Sequence, residues 1–101
     1  MIDRVMDKEV ESYLRKIAHL RADKRHGRAV QYCNAALEIV QDPLLRNVIL
    51  TFKGDSLYKI GKKTQQDDII QDARDHFCEV LKTNPDDYLA KAGIERIDRY
   101  L

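Results

Sequence analysis

Apolar residues recur along this chain at steps of three and four, the spacing that gathers them on one face of an α-helix. Five such stretches follow one another. The first, from about Asp3 to Asp23, carries Met6, Val10, Tyr13 or Leu14, Ile17 and Leu20, with charges on its other face. Lys24-Arg25-His26-Gly27 closes it, and Gly27 is the residue there most free to turn left-handed. The second runs from Arg28 to Gln41 on a stripe of Ala29, Val30, Cys33, Ala36, Leu37 and Val40. Asp42-Pro43 breaks it, because proline disfavours helix in the residue before it. Asp42 then serves as N-cap, with Pro43 at the first helical position.

The third stretch, Pro43 to about Ile60, carries Leu45, Val48, Ile49, Phe52, Leu57 and Ile60. Gly54 lies inside it at a cost of about 1 kcal/mol relative to alanine. A glycine there points to another helix passing close by. The fourth starts near Thr64, where Thr64-Gln65-Gln66-Asp67 approximates a capping box. It continues through Ile69, Ile70, Ala73, Phe77, Val80 and Leu81 to Asn84-Pro85. The fifth, Asp86 to Leu101, carries Tyr88, Leu89, Ala92, Ile94, Ile97 and Tyr100 or Leu101. Alternating β-branched runs and Asn-Gly or Asp-Gly turns are missing, so strands are not expected. The pattern predicts an all-α domain of five helices joined by short turns, a single unit over residues 1–101.

Composition narrows the class. A chain of 101 residues has room for one domain, and 44% hydrophobic with 35% charged residues describes a modest core under a polar surface. No run of about 18 apolar residues occurs, so no membrane span is expected. The first residues, Met1 to Lys8, lack the apolar stretch of a signal peptide. Cys33 and Cys78 are too few for a disulfide scaffold, which favours a reducing, cytoplasmic setting. The net charge of +1 is balanced overall but not along the chain. Residues 1–63 hold 13 basic and 8 acidic side chains; residues 64–101 hold 5 and 9.

The chain also repeats itself. Ala29, Cys33, Ala36 and Leu37 match Ala73, Phe77, Val80 and Leu81 in spacing, and each set precedes a proline break. Leu14, Ile17 and Ala18 match Leu50, Lys53 and Gly54 more loosely. The fullest motif is Gly54-x-x-Leu57-Tyr58-Lys59-Ile60-Gly61 followed by Ala73-x-x-x-Phe77-x-x-Val80-Leu81-x-x-Asn84-Pro85. On these residues the chain resembles the tetratricopeptide repeat family from about Val10 to Tyr100. The resemblance implies two antiparallel helix pairs plus a C-terminal capping helix, in a short right-handed solenoid. Lys53 stands where the family prefers Leu, and Cys33 replaces an aromatic. The 19 residues from Gly54 to Ala73 exceed the usual unit by about seven, or two helical turns. Two readings stand open: Gly61 lies inside a lengthened helix and the tip protrudes, or Gly61 ends the helix and a loop follows.

Catalytic and metal chemistry find little footing. His19, His26 and His76 form no i,i+3 or i,i+4 pair with each other or with a cysteine, so metal binding is not expected. Cys33 falls in an apolar stripe and reads as a buried structural residue; Cys78 sits mid-helix without an activating neighbour. The acid pairs Asp67-Asp68 and Asp86-Asp87 stand at predicted helix starts, where carboxylates favourably meet the helix dipole. Gly-rich phosphate loops, zinc-protease motifs and nucleophile elbows are missing. An enzyme, a cofactor and a small-molecule substrate are therefore not expected.

Binding surfaces are better supported. The resemblance implies a concave groove lined by the first helix of each pair, which points to Arg15, His19, Asp55, Tyr58, Lys59, Arg96 and Arg99. His19 and Asp55 stand where carboxylate-holding relatives in that family carry asparagine, which weighs against chaperone C-terminal tails. Helix-pair stacking would also align Lys24, Arg25, His26, Arg28, Lys62 and Lys63 as a basic rim. Ile69 and Ile70 occupy the inserted stretch and either contact a second copy or another partner, or pack against Ile60. The expected function is non-catalytic protein binding, as an adaptor, scaffold or chaperone-like module that takes a peptide or helix in the groove. The alternative is an electrostatic binder that uses the rim on RNA or an anionic membrane.

Overall fold

A computed structural model of the chain describes the backbone of residues 2–101 and the side chains of residues 8–101. Met6, expected on the apolar face of the first helix, lies outside the described side chains. Five helices form: α1 (Ile2–Ala22), α2 (His26–Ile39), α3 (Pro43–Thr64), α4 (Asp67–Thr83) and α5 (Tyr88–Tyr100). Among the described residues there is no strand, and no helix is long and apolar enough to cross a membrane.

The ends of the helices follow local chemistry, with two departures from expectation. Asp42 caps α3 by accepting from the Leu44 N–H at 2.8 Å, and Pro43 takes the first turn. Asp87 likewise caps α5, accepting from the Ala90 N–H at 2.9 Å. Gly27, however, does not close α1. Lys24 takes the left-handed conformation, with φ 60°. The Arg25 N–H donates back to Leu20 O at 2.7 Å and the Lys24 N–H to Arg21 O at 3.0 Å, which is a Schellman ending. Gly27 is already in the first turn of α2.

The second departure is at Thr64, which caps nothing. It is the last residue of α3, and its hydroxyl donates to Ile60 O at 2.8 Å. The N-cap of α4 is Gln66, without a side-chain bond, and Asp67 and Asp68 occupy the first turn. Of the two readings open for Gly61, the structure takes the first: the glycine lies inside a lengthened α3. Only Gln65 and Gln66 separate α3 from α4, with Gln65 left-handed at φ 56°.

Two hydrophobic cores share α3. One joins Val10 and Ile17 of α1, Ala29, Cys33 and Ala36 of α2, and Ile49 of α3. The other joins Leu50 and Tyr58 of α3, Ile70, Ala73, Phe77 and Val80 of α4, and Ala90 and Ile97 of α5. Complete burial of a side chain such as Ile17 contributes about 1.5–3 kcal/mol. Neighbouring helices in sequence make the main contacts, and α3 with α4 is the most extensive pair.

Small residues set how closely these helices approach. The Phe77 ring fills the space beside Gly54 and Gly93; a Cβ on either would meet ring carbons at 2.9 Å and 2.6 Å respectively. Gly61 sits equally close to Ile70, where a Cβ would meet Cγ1 at 2.6 Å. Ile70 is therefore fully buried and not available to a second chain; Ile69 is half-buried. At the far end of α3, Asn47 donates through Nδ2 to the Thr83 hydroxyl at 2.9 Å.

Candidate functional site

The face shared by α1, α3 and α5 carries an open cleft of about 450 Å³. The last turn of α1 contributes Arg21. From α3 come Thr51, Phe52 and Asp55, one helical turn apart. From α5 come Leu89, Ala92, Arg96 and Arg99, at steps of three and four that place them on one face. Phe77 of α4 reaches in between to form part of the floor.

Asp55 organises the centre. It accepts a hydrogen bond from Arg21 and another from Arg96 Nη2 at 2.8 Å, and Lys59 Nζ lies 3.4 Å away. Burial alone would raise the pKa of this carboxyl. The Arg21 hydrogen bond and the charges of Lys59, Arg21 and Arg96 outweigh it and hold the pKa below the ordinary carboxylate value. Aromatic faces steady both guanidiniums. Arg21 lies 4.6 Å from the Phe52 ring centroid and Arg96 lies 5.1 Å from that of Tyr58.

Two further clefts adjoin. At the C-terminal end of α3, Lys59 and Lys63 face Arg21, Lys24 and His26 across about 360 Å³. Burial first, and then Lys59, lower the His26 pKa below its usual value. At the N-terminal end of α3, Leu44 and Val48 line a cleft of about 260 Å³ with Leu89 and the Asp87 cap. This cleft shares Thr51, Phe52 and Leu89 with the central one, and the basic cleft shares Arg21 with it. The three thus lie in a row along α3, as a trough crossed by the Arg21–Asp55 ion pair. From Leu44 to Lys63 its length is about 28 Å at 1.5 Å per helical residue.

The residues expected in the groove divide. Asp55, Arg96 and Arg99 line the central cleft, and Lys59 joins it through Asp55. Tyr58 is a core residue at 5% exposure, packed edge-on to Tyr100 at 6.1 Å, and the guanidinium of Arg96 covers its face. Arg15 and His19 line a separate shallow depression on α1 with Ala18 and Ala22. The basic rim divides too. Lys24, His26 and Lys63 share the basic cleft. Lys62 sits over the Tyr58 and Tyr100 rings, 5.8 Å from each centroid. Arg28 belongs to a different cleft, with Gln31 and the Tyr13–Tyr32 pair, and Arg25 is exposed as the N-cap of α2.

Sequence reasoning missed Arg21, Thr51, Phe52 and Leu89. The steps from Leu89 through Ala92 and Arg96 to Arg99 signal the α5 wall. Nothing local signals Arg21, because its place depends on how α1 registers against α3. Among the described residues no three His, Cys, Asp or Glu side chains gather as metal ligands would. Comparison with family models, with curated proteins and with solved structures gives no match to this chain.

Proposed function

We propose that this chain is a non-catalytic protein-interaction module, an adaptor or scaffold of the cytoplasm, built as two antiparallel helix pairs and a capping helix in a short right-handed solenoid like that of tetratricopeptide repeats. Three contacts support antiparallel pairing of α3 and α4. Asn47 meets Thr83, Gly54 meets Phe77 and Gly61 meets Ile70, so one helix descends as the other ascends. Contacts mainly between successive helices support the stack.

The trough across α1, α3 and α5 carries the functional reading. It is open, it combines aromatic floor with arginine walls, and such residues anchor protein interfaces. A peptide or helix from a partner protein would lie along it, with no cofactor or small-molecule substrate. Selection of displayed random peptides on the wild-type chain and on an Arg96→Glu/Arg99→Glu variant tests this. Peptides that enrich on the wild type and lose binding to the variant are the expected result. No enrichment, or enrichment indifferent to the variant, overturns the reading.

A second reading, electrostatic binding of RNA or an anionic membrane, draws on the convergence of Lys24, His26, Lys59 and Lys63 in one cleft. Its mark is an affinity that falls steeply with salt, as counterion release requires.

A further inference from the structure

We infer that the trough takes a protein segment that is apolar at one end and acidic at the other. This rests on the interaction-module reading and adds the chemistry of the partner. α3 forms one wall of the trough throughout. Its first turns present Leu44, 71% exposed, and Val48, 39% exposed; across from them Leu89 of α5 is 53% exposed. Its last turns present Lys59 and Lys63. Phe52 and Asp55 lie between. Apolar character therefore gives way to positive charge along a single direction.

The charge is not internally balanced. Arg21, Lys24, Lys59, Lys63, Arg96 and Arg99 line the central and basic clefts, and among the described residues Asp55 is the one carboxylate lining them. Asp55 already serves Arg21, Lys59 and Arg96. Lys24, Lys63 and Arg99 make no ion pair among the described residues. At the apolar end, Asp87 is engaged by the Ala90 N–H. The complement is a strip of two or three carboxylates that leads into apolar side chains.

Length fits the same partner. A trough of about 28 Å accepts eight or nine residues of extended chain at about 3.3 Å each. A nucleic-acid strand matches only half of it. Phosphates would satisfy the lysines and arginines, but the end built from Leu44, Val48 and Leu89 offers a phosphate chain nothing.

The test uses fluorescent ten-residue peptides with blocked termini, so that no terminal carboxylate contributes. One peptide carries a leucine block followed by an Asp/Glu block, and is made in both directions. A second keeps that composition but scrambles it. A third replaces the acids with lysine. Binding is read by polarisation at physiological salt against the wild type, Arg99→Glu and Leu89→Ser. Both altered side chains are exposed, so the fold is retained and circular dichroism checks it.

In its better direction the block peptide is expected to bind at least tenfold tighter than the lysine peptide and several-fold tighter than the scramble. Arg99→Glu should weaken it about tenfold and Leu89→Ser at least threefold. Equal binding of the lysine peptide, or indifference to both substitutions, overturns the inference. So does tighter binding of a single-stranded RNA of similar length, which favours the polyanion reading. A dimer by sedimentation that Arg99→Glu dissolves also overturns it, because a second copy then fills the trough. If these peptides fail while displayed peptides still bind in an Arg96- and Arg99-dependent way, the interaction module stands and only the partner chemistry falls. If both fail, both fall.

Discussion

The Phe77 ring lies so close to Gly93 that a Cβ at that glycine would fall 2.6 Å from Cε2 and 2.7 Å from Cζ. The contact fixes the distance between α4 and α5. In an open helix Gly→Ala stabilises by up to about 1 kcal/mol. At Gly93 the sign should reverse, because a buried ring of a close-packed core must move. We expect Gly93→Ala to destabilise by about 1–3 kcal/mol in urea unfolding. Pairing it with Phe77→Leu should cost less than the two single changes together. Gly27 is the control: nothing stands within 4 Å of its Cβ position, so Gly27→Ala should stabilise.

Asp55 predicts the acid limb of the stability curve. Its folded pKa is depressed, so the unfolded chain binds the proton more readily. The contribution is therefore full above the unfolded value of about 3.9 and is lost as pH falls through the lower folded value. Asp55→Asn should lower stability at pH 7 by about 1–2 kcal/mol, since it removes the charge and puts an NH2 donor in place of one of the two acceptor oxygens that Arg21 and Arg96 share. It should also flatten the fall in melting temperature below about pH 4. An unchanged slope there would mean that other carboxylates govern acid unfolding.

The two thiols should part in reactivity. Burial pushes the Cys33 thiol up to about 11, and the side chain is fully enclosed. Cys78 is half-buried, with Arg74 Nη1 3.7 Å from its Sγ. Iodoacetamide at pH 8 should modify Cys78 in the native protein and reach Cys33 only in denaturant. Mass mapping after a short exposure reads the outcome; native labelling at Cys33 would reveal local opening between α1 and α2.

Ser56 offers a stabilising change. Its hydroxyl is completely buried and finds no hydrogen-bond partner among the described residues. Ser56→Ala removes that unsatisfied group and improves helix propensity. A gain of about 1 kcal/mol is expected by thermal or urea unfolding.

The five helices were legible because apolar steps of three and four, Asp42-Pro43 and the Asp87 cap are local signals. The ends that differed rest on longer-range choices. Gly27 carries the composition of a terminator, yet the turn closes three residues earlier on Lys24, and the glycine is absorbed into α2. Gly61 is compatible with ending a helix or with touching one, and only Ile70 across the gap decides between them. In the site, Asp55, Arg96 and Arg99 were reached through the groove that the tetratricopeptide resemblance implies. The burial of Tyr58 was not legible, because an amphipathic ring reads the same in a groove as in a core. Arg21 was hidden for the opposite reason: it enters the cleft through the register of one helix on another, which no local pattern encodes.

α3 supplies buried residues to both hydrophobic cores, and apart from Leu37 of α2, which packs against both, α1 and α2 serve one and α4 and α5 the other. The chain is thus mechanically jointed around one shared beam. Pulled from its two ends, it should yield in steps rather than at once. α5, which meets its neighbours less extensively, would peel away early, and the long α3–α4 seam would bear the load last. A partner stretched along the trough would bridge α1, α3 and α5, and so would lash the two outer elements to the beam and raise the force at which the first step occurs.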